Sequence, residues 1–205
     1  MFKKVIYSIL ILSTGAILFI SYFNRTPERV IPVGQTIVSP ANGRVIGIEN
    51  INSPEIVFFK DDVKNVLSLN DIKPPYTIIV IEMNLKNIHA QRAPIDGEII
   101  YQEHFSGAHK NALTSENLTQ LANVNEKNLI VIKNEDISVG VIQVAGLAAR
   151  RIKSFVNINE NIEKGDIYGK ILLGSQVVLI LPQNLELNVS LGEILIDGES
   201  VIAKY

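Results

Sequence analysis

The sequence contains no cysteine and only three histidines, and its charge has no basic excess. Without cysteine the chain has no disulfide, no thiolate metal site and no cysteine nucleophile. Its 21 acidic residues outnumber 19 basic ones, which gives a formal net charge of −2. A nucleic-acid-binding protein requires a basic surface, so we expect no nucleic-acid partner.

The first segment is the one long apolar run. Residues Val5 to Phe23 include no charged residue, and basic residues flank them on both sides. This length is about what a helix needs to cross the hydrocarbon layer, and it exceeds the apolar region of a typical signal peptide. We therefore predict a membrane anchor over residues 1–25 that serves retention, and a separate domain over residues 26–205. The basic flanks are balanced, so they leave the orientation open.

After the anchor, short runs rich in Ile and Val alternate with Gly, Pro, Asn and Asp, which is typical of strands. A mainly β domain is predicted, a flattened β-sandwich or barrel with few short helices. Weak helical patterns occur only around Lys60 to Leu67 and Ser115 to Leu121. The strand segments are RVIGIE, PEIVFF, YTIIVIEM, GEIIYQE, NLIVIK, VGVIQVA, KSFVNI, QVVLILP and ESVIAKY.

Several turns of this domain share one chemistry. SPANGRVIGIE and APIDGEIIYQE each place Pro, a spacer, Asn or Asp, and Gly before an alternating strand, and NINENIEKGDIYGKI is a unit of similar size. Such units resemble the hammerhead pieces of lipoyl and biotinyl carrier domains. No lysine stands at a hairpin tip of the carrier kind, so only the architecture carries over.

The stretch LLGSQVVLILP places Gly174 and Ser175 before an apolar strand, where a Gly-Ser pair alone indicates a turn. With it occur, in order, FNRTPER, SPANGRV, MNLKNIHAQRAPIDGEI, GAHKNA and VAGLAARRI. Together these motifs resemble the short, pyruvoyl-dependent form of phosphatidylserine decarboxylase, from Arg25 to about Pro182.

The resemblance implies a zymogen that cleaves itself between Gly174 and Ser175. Attack of the serine hydroxyl on the glycine carbonyl would give an ester, and elimination and hydrolysis would convert Ser175 into a covalent pyruvoyl group. This cofactor would form a Schiff base with phosphatidylserine and release CO₂ and phosphatidylethanolamine, with no pyridoxal phosphate and no metal. The resemblance also implies that the two resulting chains stay associated, that homo-oligomers can form, and that the domain lies on the cytoplasmic face of a bacterial inner membrane.

His89 is the candidate proton carrier, because it is the histidine of the matching NIHAQRAP segment and imidazole titrates near neutral pH. Arg92 has a fixed charge, so it is either a ligand of the lipid carboxylate or phosphate or a structural arginine. Arg150 and Arg151 present the same two alternatives, with anionic lipid headgroups as the functional partner.

Asn42 departs from the family pattern, which usually has an aspartate here that orients and charge-stabilises the histidine. An amide can hydrogen-bond but supplies no negative charge. Either self-cleavage is slow, or another carboxylate such as Asp96 substitutes, or the chain is a lapsed enzyme. Deamidation at Asn42-Gly43 is a further hypothesis. His104 and His109 have no third ligand at metal-site spacing, so no metal is expected.

A second function class stays open beside the decarboxylase. A membrane-tethered adaptor with lipoyl-like units also has an N-terminal anchor and an APIDGEI-like stretch. Such adaptors usually insert long helical hairpins, and no sustained heptad occurs between Gly97 and Asn157. The size of the chain after maturation separates an enzyme from an adaptor or a lapsed homologue.

Overall fold

The computed structural model describes residues 2–53, 55–60, 63–68, 74–105, 126–145, 152–171 and 175–205. The described chain has one α-helix followed by strands. The elements are α1 Phe2–Phe23, β1 Thr36–Val38, β2 Gly43–Ile51, β3 Glu55–Lys60, β4 Val63–Ser68, β5 Tyr76–Met83, β6 Ala90–Arg92, β7 Gly97–Phe105, β8 Lys127–Lys133, β9 Ser138–Ala145, β10 Ile152–Ser154, β11 Asn161–Ile162, β12 Ile167–Ile171, β13 Ser175–Pro182, β14 Ile194–Leu195 and β15 Val201–Lys204.

The centre of the domain is an eight-stranded antiparallel sheet with the order β11-β7-β8-β9-β13-β5-β2-β14. A three-stranded sheet of order β10-β12-β6 and the pair β1-β15 accompany it, and β3 pairs with β4. The large sheet curls into a half-barrel. The predicted mainly β fold with an N-terminal apolar helix is therefore confirmed.

β13 shows why this sheet forms. Its Ile, Val and Leu side chains suit a pleated, buried surface, and successive residues point to opposite faces. Val177 and Leu179 belong to the main core, whereas Val178 and Ile180 belong to a second cluster on the other face. Because both faces are covered, the strand reads as a continuous apolar run rather than as an alternating one.

Two of the predicted turns explain how neighbouring strands approach closely. A Cβ on Gly43 would collide with the backbone of Glu82 on β5, and a Cβ on Gly97 would collide with the backbone of Lys133 on β8. Gly97 also has a φ of 154°, which L side chains rarely adopt. The Asn-Gly and Asp-Gly turns thus perform the same task at the starts of β2 and β7.

The helix α1 is long and apolar enough to cross a membrane. Its side chains from Lys4 to Tyr22 are exposed, and Phe23 at its end is buried with 5% exposure. The connector that follows is attached to the domain, since Arg29 donates to Asp197 at 2.6 Å and Arg92 donates to the carbonyl oxygen of Pro27 at 2.8 Å. The segment after the helix is therefore held at a defined place on the domain.

Some local predictions differ from the structure. The expected helix around Lys60 to Leu67 is wrong, because β3 and β4 pair antiparallel there with Lys60 opposite Val63. Pairing between two strands gives those residues backbone partners that a weak helical pattern does not outweigh. The strand predicted for KSFVNI ends at Ser154, and Phe155 is 52% exposed. The expected helix at Ser115 to Leu121 lies outside the described residues.

Candidate active site

Ser175 is the first residue of the central strand β13. It lies opposite Met83 of β5 on one side and Ala145 of β9 on the other, and it is fully buried. Its hydroxyl donates to the sulfur of Met83, with the oxygen 3.5 Å from Sδ. A thioether is a weak acceptor, so this contact leaves the hydroxyl available for chemistry. The surroundings also shield it from water.

Gly174 lies outside the described residues, whereas Ile171 before it and Ser175 after it are described. On the preceding side, the amide of Ile171 at the end of β12 donates to the carbonyl oxygen of His89 at 3.1 Å. On the following side the chain resumes at Ser175, paired with Met83. The described residues on either side of the expected cleavage bond are therefore hydrogen-bonded to the segment that contains His89 and paired with β5, which carries Met83.

His89 precedes β6 and is fully buried. Its Nδ1 lies 3.0 Å from the carbonyl oxygen of Asn87. A carbonyl oxygen can only accept, so Nδ1 carries the proton in the neutral ring and Nε2 keeps its lone pair. Among the described residues Nε2 has no hydrogen-bond partner. This nitrogen is therefore the atom that can take a proton.

Burial lowers the pKa of His89 to about 4, and the hydrogen bond to Asn87 opposes this shift. The nearby charges of Lys170 and Arg25 lower the pKa further. The ring is consequently neutral at physiological pH, the form required of a general base.

The end of the helix is part of this environment. The ring of Phe23 lies on that of His89, with centroids 4.2 Å apart and an interplanar angle of 33°. Phe23 thereby covers one face of the imidazole and contributes to its burial. The predicted boundary after residue 25 separates these two rings along the chain, and their contact joins the end of the helix to the domain.

Asn42 reaches His89 through one intermediate residue. Its Oδ1 accepts from Nδ2 of Asn87 at 2.7 Å, and the backbone carbonyl of Asn87 accepts from His89. The amide thus positions the loop that holds the imidazole.

A chain of buried amides, which the sequence reasoning missed, supports the same site. Gln91 donates to the carbonyl oxygen of His89 at 2.8 Å and lies 3.7 Å from the sulfur of Met83. Gln143 donates to Gln91 at 2.8 Å, and Asn128 donates to Gln143 at 2.9 Å. The sequence signal that could have revealed the network was Gln143, a polar residue within the apolar run of β9. The network fixes the His89 segment relative to the sheet that carries Ser175.

Arg92 is occupied by protein partners. Its guanidinium donates to Asp197 at 2.9 Å, to the carbonyl oxygen of Gly165 at 2.7 Å and to that of Pro27 at 2.8 Å. Asp197 is fully buried and also holds Arg29. These contacts support the structural alternative for Arg92 rather than lipid binding. Arg150 and Arg151 lie outside the described residues.

Among the described residues, His104 and Asp96 make none of these contacts. His104 on β7 is half exposed, and its Nε2 is 3.2 Å from a carboxylate oxygen of Glu126. His109 lies outside the described residues. In the part of the chain that the structure describes, no group of three or more metal-ligating side chains occurs. The substitute carboxylate Asp96 is exposed and precedes Gly97 at the start of β7.

The fold and the site together define a class: a curled β-sheet protein with a buried serine at the start of its central strand and a neutral, buried histidine. The family model described as phosphatidylserine decarboxylase matches residues 17–203. The chain therefore belongs to the phosphatidylserine decarboxylase family, a family of lyases.

Individual relatives cover nearly the whole chain. A protein of Methanocaldococcus jannaschii named an archaetidylserine decarboxylase proenzyme is 38% identical over 91% of this chain and 90% of its own. A phosphatidylserine decarboxylase proenzyme of Azorhizobium caulinodans is 35% identical over 95% of this chain and 77% of its own. One from Wolbachia pipientis is 33% identical over 91% and 75%.

Proposed function

We propose that this protein is a membrane-anchored decarboxylase of serine phospholipids whose pyruvoyl cofactor is made from Ser175. It converts phosphatidylserine to phosphatidylethanolamine and CO₂. The observation that carries the proposal is the buried hydroxyl of Ser175 at the start of β13, which contacts Met83. The sulfur of Met83 also contacts Gln91, which donates to the backbone carbonyl of His89. The names of the relatives, which include the word proenzyme, support a maturation step.

In self-cleavage, Oγ of Ser175 attacks the carbonyl carbon of Gly174. The peptide C–N bond breaks, the hydroxyl proton passes to the new amine, and an ester joins the two residues. Loss of the Cα proton of Ser175 then expels the Gly174 carboxylate and leaves dehydroalanine. Water hydrolyses this group to a ketone and ammonia. His89 is the proposed carrier of these protons, at Nε2.

The surroundings of Ser175 fit a pyruvoyl group. The position is buried, its neighbours are Met83 and Ala145, and a ketone there is shielded from water that would compete for it. The group would supply an electrophilic carbonyl and an electron sink for decarboxylation. The chain itself supplies the rigid strand that orients the group and the imidazole that returns a proton to the product.

Residues 175–205 are proposed to remain bound after cleavage. β13 is hydrogen-bonded on both edges, to β5 and β9, and β15 pairs with β1. Asp197 of this piece also forms buried ion pairs with Arg29 and Arg92 of the larger piece. Removing one member of such an arrangement leaves buried charge unpaired, which costs several kcal/mol. Cleavage of the bond between Gly174 and Ser175 should therefore leave the sheet intact.

Intact mass measurement tests the proposal. The natural chain is expected to give two pieces, the smaller being residues 175–205 with a ketone in place of its amino group, which blocks amine-reactive sequencing. Ser175→Ala has no attacking oxygen and is expected to remain one chain. A natural chain that stays whole while Asn42→Asp cleaves would show a lapsed enzyme, and no cleavage in either would favour the adaptor.

The lipid is tested separately, because relatives are named for phosphatidylserine and for archaetidylserine. The two lipids share a phosphoserine headgroup and differ in their hydrocarbon part. We propose that recognition is concentrated on the headgroup at the cytoplasmic face of the membrane, so the matured protein should release CO₂ from both. Inactivity toward both after complete cleavage would contradict the proposed substrate.

A further inference from the structure

Two lysines lie side by side in the three-stranded sheet that adjoins His89. Lys170 on β12 pairs with Ala90, the residue after His89, and with Lys153 on β10. Like charges directly opposite each other on neighbouring strands destabilise a sheet. A bound anion between such lysines would remove this repulsion.

The end of the helix brings a third positive charge to the same place. Nζ of Lys170 donates to the side-chain oxygen of Asn24 at 2.6 Å. Arg25 donates to the backbone carbonyls of Tyr22 at 2.7 Å and Lys86 at 2.5 Å. These acceptors are neutral, so they orient the cations without cancelling their charge.

Arg29 and Arg92 differ from these three cations, because they share the buried carboxylate of Asp197. In the described parts of the chain, no carboxylate lies within ion-pair distance of Lys170 or Lys153, nor of Arg25. Both Lys170 and Arg25 are close enough to His89 to lower its pKa. The region therefore combines uncompensated cations with the fully buried, unpartnered Nε2 of the imidazole.

We propose that Lys170, Lys153 and Arg25 form an anion subsite that binds the phosphodiester of the serine lipid while its serine group reaches the buried site. The inference rests on the proposed function and adds the residues that recognise a phospholipid. Asn24 and Arg25 follow the last residue of the membrane-spanning helix, so the subsite lies where that helix leaves the bilayer, the level at which lipid phosphates are found. Arg25 and Lys170 would then hold the phosphate beside His89.

Binding is measured without turnover, on the full chain carrying Ser175→Ala in neutral detergent. The probes are glycerophosphoserine, glycerophosphoethanolamine, serine and inorganic phosphate, titrated by calorimetry. Both glycerophosphodiesters are expected to bind. Lys170→Gln should weaken both by ~3- to 10-fold, the range for losing one partly exposed charge-assisted contact, and Lys170→Arg should restore them.

Lys204→Gln is the matched control, because Lys204 is an exposed strand lysine on β15, which pairs with β1 in a separate sheet. Unchanged binding in Lys170→Gln overturns the subsite. Weakening of glycerophosphoserine alone would assign the cations to the serine carboxylate and overturn the phosphodiester assignment. Binding of inorganic phosphate without either diester would show an adventitious ion only.

The proposed function and the subsite fail separately. If the natural chain and the Lys170→Gln variant both mature and decarboxylate lipid with the same KM, the subsite is wrong and the proposed decarboxylase activity stands. If the natural chain never cleaves but its diester affinity depends on Lys170, the lipid site stands and the decarboxylase is wrong.

Discussion

His89 and His104 show opposite ways of placing an imidazole in one domain. His89 is fully buried under Phe23, has no carboxylate partner, and keeps Nε2 free among the described residues. His104 lies on β7 with a half-exposed side chain and an ion-pair contact to Glu126. Burying Nε2 without a hydrogen-bond partner costs stability, which makes His89 the candidate for a chemical role, whereas the contacts of the more exposed His104 ring call for no such role.

The largest expected effect is that of His89→Ala, which removes the proposed proton carrier. Self-cleavage should slow by ~10²- to 10⁴-fold, the usual contribution of a general base. The time course of intact mass measures this rate. His89→Asn is the sharper variant, since its amide can still donate to the carbonyl of Asn87 but cannot act as a base. Cleavage by His89→Asn at the natural rate would reduce His89 to a positioning residue.

Asn42→Asp is expected to have the next largest effect, in the opposite direction. A carboxylate in this position can still accept from Asn87, and its charge would stabilise the imidazolium that forms at His89. Cleavage should accelerate by about 10-fold, equivalent to about 1.4 kcal/mol of transition-state stabilisation. The half-time of maturation is the measurement.

Asn42→Ala is its control and should slow maturation by loosening the Asn87 loop. If Asn42→Asp and Asn42→Ala slow maturation equally, the amide acts through its geometry and the missing charge is irrelevant.

The Phe23→Ala variant tests whether the end of the helix controls the pKa, and so the protonation state, of His89. With the natural pKa of about 4, lowered mainly by burial, the ring is neutral and cleavage is nearly independent of pH above pH 5. Exposing the ring moves the pKa up toward 6.5, so protonation removes the base as pH falls through a higher value. At pH 5.5 cleavage should slow by up to about 10-fold, and at pH 8 it should change little.

Phe19→Ala is the matched control, because Phe19 lies on the same helix with 51% exposure and stacks on Phe23 rather than on His89. A chain beginning at Thr26 should show the same acidic shift as Phe23→Ala. An identical pH profile in all these chains would support the prediction that the anchor serves retention alone.

His104→Ala should have the smallest effect. A partly exposed contact between an imidazole and a carboxylate contributes at most ~1 kcal/mol to the free energy of unfolding, and Glu126 would keep its contact with the amide of Ile152. Denaturant unfolding measures the stability, and maturation should proceed at the natural rate. A strong loss of cleavage would remove the contrast between the two histidines.

Much of the fold follows from local sequence patterns. Apolar runs bounded by Gly, Pro, Asn and Asp predict the strands, and the uncharged run before Asn24 predicts the helix, because side-chain periodicity and length act over a few residues. The predicted helix at Lys60 to Leu67 was wrong, because pairing between β3 and β4 overrode the weak local preference for a helix.

The sequence predicts a set of candidate site residues but not how they are arranged. The Gly174-Ser175 pair and the NIHAQRAP segment identified the serine and the histidine through a resemblance. The same segment made Arg92 a candidate lipid ligand, yet its partner Asp197 is 105 residues away along the chain. No local pattern encodes that distance, so Arg92 could not be assigned from sequence.

The sequence by itself determined a mainly β domain behind an apolar helix, with a serine at the entrance of an apolar strand. These properties depend on residue type, order and short-range periodicity. Only the tertiary structure decided that Phe23 covers His89, that Gln91 and Gln143 connect the imidazole segment to the sheet, and that no carboxylate among the described residues pairs with Lys170. Such relations depend on which distant strands become neighbours, and that is fixed only when the sheet closes around its core.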